Sequence, residues 1–231
     1  MAPSSTVAAH SSQDRFKYFL FSVLGLMFLF VLWHNERFIV DHSHPAWAYF
    51  FPVRWWLLPH GLGGLTALLI GPFQFSSRFR QQHLRIHRII GRLYLGAIAV
   101  SAPMGMYLTS IHNSLIIRFY VLTLGSAWLL SAGIAFVCVL NGNIPLHRQW
   151  MVRSYTVTTV FLTNRVFFAI PAIDQAMSRP GGIVVHSGVE WSILVATLVL
   201  TELGLAWPGI FANRRSQDAR AQIAVAPRPS S

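Results

Sequence analysis

Six long apolar runs, at residues 16–33, 55–75, 89–108, 119–140, 154–173 and 189–210, alternate with short polar segments along the chain. A helix rises ~1.5 Å per residue and the hydrocarbon core of a bilayer is ~30 Å thick, so about 20 apolar residues cross it. The runs are continuous and lack the alternating pattern of an outer-membrane strand. The pattern predicts an all-α integral membrane bundle of six transmembrane helices. The first run is short for a crossing and is expected to recruit its flanks. It ends in "LWHNER" with no small-residue cleavage site behind it, so it reads as a retained anchor. Residues 1–15 and 213–231 read as disordered tails on either side of a membrane domain at 16–212.

Composition agrees with the pattern. Of the 231 residues, 54% are hydrophobic and 11% charged, where a soluble domain carries about a quarter charged residues. The formal charge is +11, but the basic residues sit in short clusters between apolar runs. That distribution suits a bilayer with anionic headgroups and not a nucleic acid. One set of alternate segments holds Arg15, Lys17, Arg78, Arg80, Arg85, Arg88, Arg92, Arg148, Arg153, Arg214, Arg215, Arg220 and Arg228. The other set holds only Arg37, Arg54, Arg118 and Arg179. Positive residues remain in the cytoplasm, so both termini are predicted cytoplasmic in a cell inner membrane. The lone Cys138 permits no internal disulfide and reads as a small buried hydrophobe.

Two polar clusters, "HRIIGRLYL" at 87–95 and "HRQWMVRSY" at 147–155, lie at the cytoplasmic entrances of the third and fifth spans. Residues three, four or seven apart share a helix face. His147, Ser154, Thr158 and Arg165 form one stripe, provided that the fifth helix starts before His147. Pro145 at a first helical position and Asn143 as a cap would start it there. His87, Gly91, Tyr94, Ser101 and Gly105 form a stripe on the third span. His60, Gly64, Ala67, Gly71 and Gln74 do so on the second, and Glu190, Thr197, Thr201 and Gly204 on the sixth. Small residues on such faces mark close helix contact, and threonine can bond a carbonyl one turn back. Arg165 and Glu202 lie within spans, where each unpaired ion costs ~2.5–3.5 kcal/mol. They could pair with each other, or Arg165 could line a polar cavity with the stripes.

Chemistry is less determined. The chain has no G-x-S-x-G, H-E-x-x-H or Walker motif, and its seven acidic residues argue against carboxylate catalysis or calcium binding. His83 and His87 share a helix face, as metal pairs do, but the Arg-rich segment around them suits a helix lying on phosphates. The "HSH" at 42–44 could hold a metal or be a solvated loop. His87 and His147 enter at one depth, as axial ligands of haem b would, with Arg88, Arg92, Arg148 and Arg153 placed for propionates. The alternative is that these groups meet headgroups and water. The pattern resembles the six-helix di-haem cytochrome b family of ascorbate-dependent membrane reductases, whose four central helices carry the haem histidines. Here the fourth span, 119–140, has none, so His60 would need His112 or His186.

A second resemblance is carried by "HGLGGLTALLIGPFQF" (60–75), "HLRIHRIIGRLYL" (83–95) and "HRQWMVRSYTVT" (147–158). These resemble the bacterial predicted membrane proteins of domain-of-unknown-function family twenty-three-oh-six, over roughly residues 55–170. The resemblance implies a multi-pass membrane fold and singles out His60, Gln74, His87, Arg88, Arg92, Tyr94, His147, Arg148, Trp150 and Arg153. It carries no activity. Three functions follow from the residues: a haem-b or quinone-linked electron carrier, a small-solute or proton-coupled carrier, and a structural subunit or homo-oligomer whose polar stripes face a partner. The arginine distribution makes one direct prediction. Reporter enzymes fused within 76–88 and within 141–147 should both read out as cytoplasmic, and a periplasmic signal from either would reverse the orientation.

Overall fold

The structure, a computed structural model, describes residues 5–34, 41, 43–112 and 114–225. Arg37 and His42 lie outside the described residues. In chain order the elements are α1 (Ser5–His34), α2 (Pro45–Phe50), a 3₁₀ turn (Phe51–Val53), α3 (Arg54–Gln74), α4 (Ser77–Gln82), α5 (Leu84–His112), α6 (Leu115–Leu140), α7 (Ile144–Phe168), α8 (Pro171–Met177) and α9 (Gly182–Val225). Among the described residues, four stretches are long and apolar enough to cross a membrane: Trp47–Gln74, Leu84–Ile111, Leu115–Leu140 and Gly182–Ala206. Helices α7 and α8 make a fifth if the pair, bent by 86°, counts as one crossing. The apolar part of α1, Phe19–His34, is shorter. The architecture is thus an all-helical membrane bundle with four to five candidate spans.

Several boundaries differ from the sequence expectation. The run at 154–173 is interrupted because Pro171 forces Ile170 out of helical geometry, to ψ 121°. Proline then suits the first turn of α8. Residues 5–15 and 213–225, expected as tails, continue α1 and α9 as helix. Alanine, glutamine and arginine there are good helix formers. The start of α7 follows the expectation. Pro145 lies in its first turn, and the Asn143 side chain caps it by accepting from the Leu146 amide at 3.2 Å. Gly142, with φ +72°, supplies the left-handed turn between α6 and α7.

Packing follows the hairpins. Neighbours α3 and α5, α5 and α6, α6 and α7, and α7 and α9 lie side by side, and α7 also touches α1 and α3. The starts of α5 and α7 share one end of the bundle with the ends of α3 and α6. One core joins Ala67, Tyr94, Ala97, Ile98, Ala132, Ala135, Met151 and Tyr155. A second, nearer the other end, joins Tyr120, Val160, Ile193 and Leu194. Between α3 and α5 small residues permit close approach, at Gly105 of the predicted α5 stripe but at Gly63 on α3, where the predicted stripe has Gly64. A Cβ on Gly63 would stand 2.7 Å from the Ala97 carbonyl oxygen, and one on Gly105 would stand 2.7 Å from His60 Cε1.

Gly71 and Pro72 explain how α7 docks on α3. A Cβ at Gly71 would collide with the Tyr155 ring. Pro72 has no amide hydrogen, so the Leu68 carbonyl one turn earlier loses its helical partner. The Tyr155 hydroxyl donates to that carbonyl at 3.1 Å. The glycine makes room, the proline frees an acceptor, and the tyrosine fills both. Tyr155→Phe should therefore lower stability by about 1 kcal/mol, the usual net worth of one such bond. In a Pro72→Ala background, where the helix regains its own donor, the loss should largely vanish. Thermal midpoints in detergent test this, and equal losses in both backgrounds would uncouple the two residues.

Candidate functional site

The two polar stripes on the third and fifth spans meet inside the bundle. Tyr94 of α5, fully buried, shares hydrogen bonds with Ser154 Oγ at 3.0 Å and Thr158 Oγ1 at 3.2 Å on α7. Trp128 of α6 donates its indole N–H to Thr158 Oγ1 at 2.9 Å. Tyr94 is thereby tied into the helix seam, about 10 Å along the axis from His87. It does not join that histidine in a pocket.

The three histidines are not brought together. His60 lies near the far end of α3, where its Nδ1 donates to the Ser101 carbonyl at 2.8 Å and its ring meets Phe161 edge-on. Ser101 Oγ returns a bond to the His60 carbonyl at 2.7 Å. His186 does not approach His60. Its ring packs at a tilt against Phe168 and stands 3.9 Å from a Glu190 carboxylate oxygen. The side chain of His112 is outside what the structure describes.

His87 and His147 occupy the opposite end. His147 Nδ1 lies 2.8 Å from the Ala135 carbonyl on α6. A carbonyl only accepts, so His147 Nδ1 carries a proton and donates it. His87 is partly buried, within electrostatic range of Arg80, His147 and Arg88, and its Nδ1 has no partner. Gln74, the last residue of α3, is 8% exposed and its amide nitrogen is also unpartnered. Its carbonyl oxygen lies 3.2 Å from where a Cβ on Gly91 would stand, one helical turn from His87. Two buried polar groups without partners therefore converge where α3 ends and α5 begins.

Charge surrounds them. On α4, burial and then the neighbouring Arg148 guanidinium pull the pKa of Arg80 below its ordinary value. Arg88, Arg92 and Arg148 are exposed around this end. No Asp or Glu occurs between Asp41 and Asp174, so α3 to α7 carry no carboxylate at all. Arg153 is already engaged. It donates to both Glu202 carboxylate oxygens, at 2.6 and 2.8 Å, and lies over the Trp150 ring.

That bidentate pair takes Glu202 away from Arg165, so of the two alternatives the Arg165–Glu202 pairing is not the one formed. In the antiparallel α7–α9 packing, Glu202 comes level with Arg153. Arg165 is twelve residues further along α7, about 18 Å at the helical rise, with its guanidinium over Phe161. Glu190 is buried at the Arg165 end of the bundle. Asn164, Tyr120 and Trp128 have no place in the sequence stripes, yet all three bond between helices. Asn164 was legible in principle, since an amide inside an apolar span needs a partner.

The fold and this site define a polytopic helical membrane protein with a cationic, partly unsatisfied polar cluster at one end. The model of the family described as predicted membrane protein (DUF2306) matches residues 57–203. The chain belongs to that family. Neither the comparison with curated proteins nor that with solved structures finds a match. The family match runs from α3 through most of the apolar part of α9, and so includes the whole cationic cluster.

Proposed function

We propose that this protein is a six-span inner-membrane protein, with both termini cytoplasmic, that binds an anionic group at the cytoplasmic ends of α3, α5 and α7. The ligand is a phosphate or carboxylate, presented by a lipid headgroup or a soluble molecule. One observation carries the reading. Gln74 Nε2 and His87 Nδ1 are buried without partners in a neighbourhood whose charged groups, Arg80, Arg88 and Arg148, are all cationic. An unsatisfied buried donor is costly, and a carboxylate or phosphate oxygen is what N–H groups in a positive field accept most readily. In this reading the Gln74 amide and His87 donate to the anion from the bundle side, and the arginines close over it from the water.

The thirteen-to-four distribution of Arg and Lys supports the cytoplasmic side. The sixth crossing would be α1, lengthened by the helix that precedes Phe19. Haem b between His87 and His147 fits less well. Helices α5 and α7 are joined directly by Tyr94 and Ser154 two turns inward, so a planar macrocycle could not enter without parting them. The anion reading is tested by native mass spectrometry of the full chain released from nanodiscs containing phosphatidylglycerol or phosphatidylcholine, with and without inorganic phosphate. Retention of the phosphoglycerol lipid or of phosphate should fall about tenfold in Gln74→Leu and in the Arg88→Gln, Arg148→Gln double variant, equivalent to 1.4 kcal/mol. Retention equal to wild type in both variants would overturn it.

A further inference from the structure

Glu190 of α9 lies at the other end of the bundle from the cationic cluster, and its surroundings are of the opposite kind. It is 7% exposed. Among the described residues, one carboxylate oxygen faces His186 Nε2 at 3.9 Å, beyond hydrogen-bond length, and the other has no partner. Asn164 of α7 is 6% exposed and its carbonyl oxygen is likewise unpartnered, because its amide nitrogen is committed to the Tyr120 hydroxyl at 2.7 Å. Tyr120 of α6 lies within the electrostatic reach of Glu190 and packs edge-on against Trp191. Helices α6, α7 and α9 thus bring a carboxylate, an amide carbonyl and a phenol oxygen to one buried junction.

We propose that Glu190, Asn164 and Tyr120 form a binding site for a small monovalent cation, a proton or an alkali-metal ion, within the half of the bundle opposite the His-Arg end. The donor atoms are oxygens, which suit a hard cation. Among the described residues no group of three His, Cys, Asp or Glu exists to favour a transition metal. Charge balance selects the valence. A single buried carboxylate neutralises one positive charge, whereas a divalent ion would leave an uncompensated charge in the membrane interior. Among the described residues, the titratable groups that face Glu190 are Tyr120 from α6 and His186 from its own helix, while α7 contributes the neutral Asn164 and, at the same end, Arg165, whose guanidinium lies over Phe161. A bound cation satisfies both orphaned oxygens at once, which no side chain near them does.

The test is the thermal midpoint of the full chain in detergent, read by tryptophan fluorescence. Alkali chlorides replace choline chloride at constant ionic strength and pH 8, and a second series lowers the pH without alkali ions. A ligand that binds only the folded state raises the midpoint with its concentration. Sodium, lithium or potassium should raise it saturably if the occupant is a metal ion. Only falling pH should raise it if the occupant is a proton. In either case Glu190→Gln should abolish the response, and Asn164→Asp, which adds a second negative oxygen, should lower the half-saturating concentration at least threefold. A response of wild-type size in Glu190→Gln would overturn the proposal, and so would no response in the wild type to any alkali ion or to pH. Should Glu190→Gln fail to fold, an Asn164→Asp response identical to wild type would also overturn it. Gln74 and the arginines do not enter these measurements, so failure here leaves the anion site standing.

Discussion

The hydroxyl groups of α7 hold this bundle together. In lipid, apolar side chains gain little by burying against each other, so specificity between helices comes from close packing and interhelical hydrogen bonds. Helix α7 supplies most of those bonds. Ser154 and Thr158 bind Tyr94, Thr158 also accepts from Trp128, and Asn164 donates to Tyr120. Tyr155 reaches the carbonyl that Pro72 frees, Thr156 meets Thr201, and Arg153 grips Glu202. Together they reach α3, α5, α6 and α9. The main polar contact that bypasses α7 is His60 with Ser101, between α3 and α5.

From this seam follow both ends. Satisfying Ser154, Thr158 and Tyr94 with one another closes the middle of the bundle. Polar groups that remain unpaired lie on either side of it: Gln74 and His87 toward the arginines, Asn164 and Glu190 toward the other end. The first pair sits among cations, and the second joins an amide oxygen and a carboxylate oxygen. The same helix therefore separates the proposed anion site from the proposed cation site. The absence of any acidic residue between Asp41 and Asp174 keeps the first site positive, since the carboxylate that α9 brings to this end, Glu202, is already taken up by Arg153.

Much of this was legible in the pattern of residues. The stripes containing Tyr94, Ser154 and Thr158 could be drawn because helical periodicity places them on one face each, and those faces meet. The glycines of α3 and α5 announced close approach, and Asn143 with Pro145 announced where α7 begins. What stayed hidden depends on distances between helices. Whether Glu202 meets Arg153 or Arg165 is decided by the register of α7 against α9, which no single helix encodes. Asn164 and Tyr120 find each other for the same reason. The break before α8 needed only the restriction that Pro171 places on Ile170, but the long apolar run masked it.

Hydrogen–deuterium exchange of the full chain in lipid nanodiscs tests the seam most directly, since protection reports which segments open together. Amides of α7 between Met151 and Asn164 should exchange slowest. Residues 94–102 of α5 and 120–138 of α6 should become exposed with them as one cooperative unit. Exchange of α7 ahead of α5 and α6, or independently of them, would contradict the claim that its side chains hold the bundle.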